Sequence, residues 1–218
     1  ISWVKMLLEH GNLDLVMLNN RKIFEIPYSH YSIDNWEEKK SKILSQLDDK
    51  FTDYGDYELP PYERVVTESI KDELMDFSGY LDFPLVIMAM WYERSKRSHC
   101  HPVHNHGGAG FSAVMYVEFN PEVHRSTVLY SPYNNPFTGA LMSYAPNVKE
   151  GDIIFFPSSF LHEARPNESD ETRTIISFNM FDTQLLFAKK HQLFGDYADQ
   201  LVKKIADRVY DHTPKYDK

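Results

Sequence analysis

The chain has 218 residues, 42% of them hydrophobic, with 32 acidic against 23 basic side chains and a formal net charge of -9. That size supports one substantial core, and the acidic balance without a Lys/Arg stripe excludes a general nucleic-acid surface. A single cysteine, Cys100, excludes an intramolecular disulfide framework. It fits a reducing cytoplasm, and its place beside a histidine cluster reads as incidental. No apolar run reaches the length of a membrane helix, and no charged-then-apolar leader opens the chain. Ile1 in place of Met leaves the expectation of further residues upstream.

In chain order, Arg21–Tyr28 reads as a strand stopping near Pro27. Residues 34–47 carry apolar positions at helical spacing after Asp34, a candidate cap. The Asp-, Tyr-, Gly- and Pro-rich stretch Asp48–Pro61 reads as loop. Tyr62–Phe77 repeats the helical pattern through Val65, Val66, Ile70, Leu74 and Phe77. From Phe83 to Met180 the pattern is that of strands. Pro84–Tyr92, Phe111–Phe119, Arg125–Tyr130, Asp152–Phe156 and Thr172–Met180 are short, β-branched or aromatic, and separated by turn residues. Such a series implies a sandwich or barrel. Phe187–Tyr210 reads as one or two amphipathic helices. The organisation expected is a single domain over 1–218, with a mixed N-terminal part (1–82), a β core (83–181) and a helical C-terminal segment (182–218).

The chemistry gathers in the β core. Four of the ten histidines fall between His99 and His106. In one extended strand His104 and His106 share a face with Cα atoms roughly 7 Å apart, so both imidazoles can address one metal ion. His162 and Arg173 flank the turn formers Pro166–Asp170. A hairpin closing there would set them opposite each other with Cβ atoms about 5 Å apart, so an acid bound to the metal could be clamped by the guanidinium. Arg173, Ile175, Ser177 and Asn179 alternate onto one face, and two polar residues beside an Arg suggest a pocket. A surface pairing of Arg173 with Glu171 or Asp170 is the plainer alternative. Tyr116 shares parity with Ser112 and either bonds the same ligand or packs as core. His99 and His101 flank the pocket or orient the ligands. The aromatic loop Tyr130–Phe137 either lines a substrate mouth or packs.

The order of motifs from Trp91 to Met180 resembles the iron(II) and 2-oxoglutarate dependent oxygenase superfamily, most closely a group of bacterial and phage members. The elements carrying the resemblance are the histidine motif, the strand Ser112–Val117, Gly151-Asp152-Ile153-Ile154-Phe155-Phe156-Pro157, His162, and Arg173 opening the last strand. Gly151 and Pro157 with His162 also resemble the second cupin motif. The resemblance implies an α+β, mainly β fold, a double-stranded β-helix (jelly roll) with helices buttressing one sheet. It implies Fe(II) held by His104, His106 and His162, and 2-oxoglutarate as cosubstrate bound by Arg173, with Tyr116, Ser177 and Asn179 beside it. The reaction implied is hydroxylation of a small molecule or protein side chain by a cytoplasmic enzyme that could form a homodimer, without nucleic-acid or membrane partners.

One departure bears on the metal. His106 stands where most members carry Asp or Glu, and three neutral imidazoles also suit Zn, Ni, Cu or Co. Glu118 and Asp152 are the alternative carboxylates. A cupin-like metalloenzyme without 2-oxoglutarate, and a non-catalytic jelly-roll module with vestigial histidines, are the other readings.

Overall fold

The structure, a computed structural model, describes residues 25–48, 52–53 and 59–184, together with 192, 195, 199–200, 203 and 209–210 of the tail. The strand expected from Arg21 lies partly outside these residues. Its described part, 25–28, is not strand, and the chain pairs only beyond Pro27, at β1 (Ser29–Ser32). The helices expected over Phe187–Tyr210 lie largely outside the described residues, although Val209–Tyr210 forms a short strand, β11.

Helix α1 (Trp36–Leu44) follows β1. Asp34 does not cap it. Asn35 occupies the N-cap in the left-handed region (φ 53°, ψ 39°), which Asn tolerates better than most residues, and its carbonyl accepts from Lys39 N. Part of the expected loop forms β2 (Thr52–Asp53), paired with the long strand Leu85–Ser95. The helical pattern of 62–77 resolves into α2 (Glu63–Ser69) and α3 (Lys71–Leu81), broken at Ile70 (φ −118°, ψ 23°). The break is invisible to periodicity because Val66, Ile70, Leu74 and Phe77 all stay buried in one core across it.

The eight strands that follow are β3 (Leu85–Ser95), β4 (His101–His104), β5 (Phe111–Glu118), β6 (Val128–Asn134), β7 (Leu141–Tyr144), β8 (Asp152–Pro157), β9 (His162–Ala164) and β10 (Arg173–Asp182). One antiparallel sheet runs β1-β8-β5-β10-β3-β11, with β2 also on β3, and a smaller one runs β4-β9-β6-β7. Strands β3, β5, β8 and β10 belong to the larger sheet and β4, β6, β7 and β9 to the smaller. The chain therefore crosses between sheets again and again, which makes a double-stranded β-helix.

Alternation along the larger sheet divides two cores. Met115, Ile153, Phe155, Ile176 and Phe178 face the helices, where Phe77 stacks on Phe155 with ring centroids 4.5 Å apart. Val114, Tyr116, Ile154, Phe156 and Ile175 face into the barrel. The helices thus buttress one sheet and leave the other side of it to the site.

Gly151 opens β8 for a local reason. Its φ is +83°, and a Cβ built there would meet the Trp36 ring at 2.6 Å. Its carbonyl accepts from Ile33 N and its amide donates to the Tyr116 carbonyl, so this glycine joins α1, β1 and β5 at one point.

Candidate metal centre

His104 ends β4 and lies directly opposite His162 of β9. His106 does not share that strand, as the alternation argument had it, because β4 stops at His104. His106 is instead held by its own amide, which donates to the Ser158 carbonyl at 2.9 Å just past β8. The result is the convergence expected by another route: the ligand atoms of His104, His106 and His162 all lie within 4.8 Å of one another.

Two of the imidazoles are fixed in tautomer and orientation. Nδ1 of His104 donates to the Pro102 carbonyl at 2.7 Å and Nδ1 of His162 to the Phe160 carbonyl at 2.9 Å. A ring that donates from Nδ1 has its Nε2 lone pair free for a metal. Burial, reinforced by the neighbouring imidazoles His162 and His104, pushes His106 down to about 3. Burial also pushes His162 down to about 4, against the opposing hydrogen bond to Phe160, and lowers His104. All three are neutral at pH 7 and need lose no proton to coordinate.

The alternative carboxylates are engaged elsewhere. Asp152 is buried and accepts from His30 Nε2 (2.9 Å), Ser32 Oγ (2.7 Å) and Lys149 N (2.9 Å). Glu118 accepts from Thr174 Oγ1 and lies 3.5 Å from Arg94. Neither belongs to the metal-ligand group found among the described residues.

The histidines open onto a narrow cleft of about 20 Å³, lined also by Trp91, Glu93, Thr127, Ile175 and Ser177. Arg173 does not line this cleft but is linked to its wall. It precedes Ile175 by two residues on one strand face, and Nη1 donates to the carbonyls of Arg125 (3.0 Å) and Arg165 (3.3 Å), next to the lining residues Thr127 and Ala164. Arg173 is 2% exposed, and its Nε and Nη2 have no hydrogen-bond partner among the described residues. These two groups form one edge of the guanidinium, the edge that binds a carboxylate in bidentate fashion. Its plainer pairing with Asp170 or Glu171 is not made. Asp170 binds Arg97, and the Glu171 side chain accepts from Asn120 Nδ2.

The hairpin expected between His162 and Arg173 does not form: β9 belongs to the smaller sheet and β10 to the larger. Asn167 is the physical reason. It is buried, exchanges backbone hydrogen bonds with Ser98 (2.7 Å) and His99 (3.0 Å), and donates from Nδ2 to the carbonyls of Ser95 (3.0 Å) and Glu171 (2.8 Å). The segment is thereby pinned to the chain leaving β3 and carried across to the other sheet.

The remaining expected residues divide. Tyr116 is fully buried, with its hydroxyl 3.2 Å from Thr127 Oγ1. Ser177 lines the cleft itself, while Asn179 Oδ1 accepts from Ser112 Oγ, a cleft residue, at 2.8 Å. His101 stacks on His104 at 4.0 Å with planes 9° apart, which makes it the flanking partner anticipated. Glu93 is a residue that sequence reasoning missed. It is 2% exposed, lines the cleft and accepts from His101 Nδ1 at 2.8 Å. Burial pushes its carboxyl up, but the hydrogen bond and charge of His101 outweigh this and hold it below the usual range. The available signal was alternation with Trp91, whose ring stands 5.2 Å from His106.

Fold and site define a double-stranded β-helix in which three clustered histidines could hold a metal ion. Residues 89–179 match the family described as "Putative 2OG-Fe(II) oxygenase". Among solved structures, AviO1 from Streptomyces viridochromogenes Tue57 is 11% identical over 72% of this chain and 90% of its own (TM-score 0.54). SnoN, a non-haem alpha-ketoglutarate dependent epimerase from nogalamycin biosynthesis, is 15% identical over 71% of this chain and 76% of its own (TM-score 0.52). HygX from Streptomyces hygroscopicus, with nickel and 2-oxoglutarate bound, is 14% identical over 72% and 83% (TM-score 0.51). At these identities the likeness establishes the double-stranded β-helix. No curated protein matches the chain. No helix of the described residues is long and apolar enough to cross a membrane.

Proposed function

We propose that this protein is a dioxygenase that uses Fe(II) and 2-oxoglutarate to hydroxylate a small molecule. The observation that carries the reading is the unpartnered edge of Arg173, buried in the barrel whose cleft also receives three neutral imidazoles. A buried guanidinium stays charged, and leaving its donors unpaired is costly. A carboxylate removes that cost. 2-Oxoglutarate carries a distal carboxylate to meet Arg173 and a keto acid to chelate a metal, so its two ends match the two features.

In this reading His104, His106 and His162 are the metal ligands, and the carbonyls of Pro102 and Phe160 hold His104 and His162 in the coordinating tautomer. The carbonyls of Arg125 and Arg165 fix the plane of Arg173. Ser177 and Thr127, the latter held by Tyr116, offer hydroxyls along the cleft, and Asn179 positions Ser112. When bound at these residues, iron and 2-oxoglutarate would supply the oxidising chemistry, consuming O2 and yielding succinate and CO2 alongside the hydroxylated product. The protein contributes orientation and the exclusion of water. The one exposed cysteine, Cys100, fits a reducing cytoplasm.

A metalloenzyme that dispenses with 2-oxoglutarate is favoured by one observation, the all-imidazole donor set with Glu118 and Asp152 occupied elsewhere. Incubation with Fe(II), 2-oxoglutarate and air separates the two. The dioxygenase reading expects slow succinate formation by the wild type and none by His162→Ala. Fully iron-loaded wild type that makes no succinate contradicts it.

A further inference from the structure

The smaller sheet carries a row of directly opposed residues that runs away from the metal cluster. His104 faces His162, His162 faces Leu129, and Leu129 faces Tyr144. Opposed residues share a face, so Leu129 and Tyr144 stand on the face that carries the imidazoles. At about 4.8 Å per strand, Tyr144 lies roughly 10 Å from His162.

At the far end of this row is a second cavity, a groove of about 350 Å³ lined by Ile26, Tyr28, Leu129, Met142, Tyr144 and Phe160 among others. That volume is in the usual range of small-molecule sites. No residue lining it is charged. Phe160 belongs to both places, since it walls the groove while its carbonyl orients His162. The β6–β7 hairpin that supplies Met142 and Tyr144 also exposes Tyr133, Leu141 and, at 95%, Phe137.

One buried polar atom of the groove, the Tyr28 hydroxyl, makes no hydrogen bond of full geometry among the described residues. The Tyr28 and Tyr144 rings pack edge to face with centroids 5.5 Å apart, which brings the Tyr144 side chain near that hydroxyl. An apolar, uncharged wall with one unmet hydroxyl selects a definite kind of ligand.

We infer that this groove binds the primary substrate, a small neutral molecule with an aromatic or aliphatic body and one hydrogen-bonding group that meets Tyr28, and presents its near end to the metal beside Leu129. The inference rests on the metal-site reading above but not on 2-oxoglutarate.

The test uses the full chain loaded with Mn(II) alone and 2-naphthol as the probe, with naphthalene-2-sulfonate as the charged control. Proton relaxation of bound 2-naphthol is expected to be faster on the Mn(II) protein than on metal-free protein, with the sulfonate binding roughly tenfold more weakly or worse. Met142→Trp, which fills the groove, is expected to weaken 2-naphthol by roughly tenfold or more at unchanged Mn(II) stoichiometry. Tyr28→Phe, a one-atom change that keeps the test available should the Trp variant misfold, is expected to weaken 2-naphthol but not naphthalene. Equal binding of the sulfonate, indifference to both substitutions, or bound probe without enhanced relaxation overturns the inference. If no Mn(II) is taken up, the metal reading fails separately, and the sensitivity of 2-naphthol binding to the two substitutions still judges the groove.

Discussion

His104 and His162 face each other in register across β4 and β9, with ring centroids 4.3 Å apart and Nδ1 of each held by a carbonyl two residues earlier in the chain. This pair is the rigid half of the proposed metal site, and His106 completes it from a loop end. Removing His162 therefore takes away a ligand together with the fixed geometry that presents it. His162→Ala is expected to lower metal affinity by more than the roughly 10–100-fold typical of losing an outer-shell partner. Metal analysis after equilibrium dialysis checks this, and full occupancy in the variant contradicts the ligand assignment.

Arg173 separates cosubstrate from metal. Arg173→Ala leaves the three imidazoles in place, so metal stoichiometry is expected to persist while 2-oxoglutarate binding loses about 2–5 kcal/mol, the range for truncating one partner of a buried hydrogen-bonded charge pair. Arg173→Lys keeps a charge but not the planar two-donor edge, and is expected to recover only part of that loss. Calorimetric titration of 2-oxoglutarate into the metal-loaded variants measures both. Unchanged affinity in Arg173→Ala would make the guanidinium structural.

Protons and folding are linked at the same site. His106 and His162 are pushed from 6.5 to about 3 and about 4 in the folded protein. The unfolded chain then binds more protons than the folded chain below about 6.5, so the stability of metal-free protein is full above that pH and falls as the pH drops toward 4. Thermal unfolding of metal-free protein between pH 7.5 and 4.5 is expected to show this decline. His162→Asn should flatten it. An equally steep decline in that variant places its origin elsewhere.

Gly151 tests the junction that sets β8 in position. An added Cβ meets the Trp36 ring, and φ is +83°. Gly151→Ala is expected to destabilise the protein by about 1–3 kcal/mol from backbone strain alone, read as a lowered midpoint in urea. An unchanged midpoint contradicts the packing described.

Motif chemistry was readable from sequence where it depends on residue type and order: His104, His106 and His162 do converge, and Arg173 is buried. The routes were not readable. Asn167 sits among turn formers that locally favour a hairpin, yet its tertiary hydrogen bonds to the chain leaving β3 carry β10 into the other sheet. Period counting ran one helix over 62–77 because Ile70 is buried on either side of a break it cannot reveal. Glu93 escaped because the apolar run before it ends at Tyr92, and only the pairing of β3 with β10 and the approach of His101 show that it faces the cleft. The groove at Tyr144 depends on a register across four strands that no local pattern encodes.

In the proposed function, a metal held by His104, His106 and His162 and a carboxylate held by Arg173 share one bound 2-oxoglutarate. Anaerobic addition of Fe(II) and then 2-oxoglutarate, followed by visible spectroscopy, tests it most directly. The account predicts a weak charge-transfer band that appears only with both components, is lost in His162→Ala, and needs much more 2-oxoglutarate in Arg173→Ala. Protein shown to hold iron at full stoichiometry that develops no such band would contradict it.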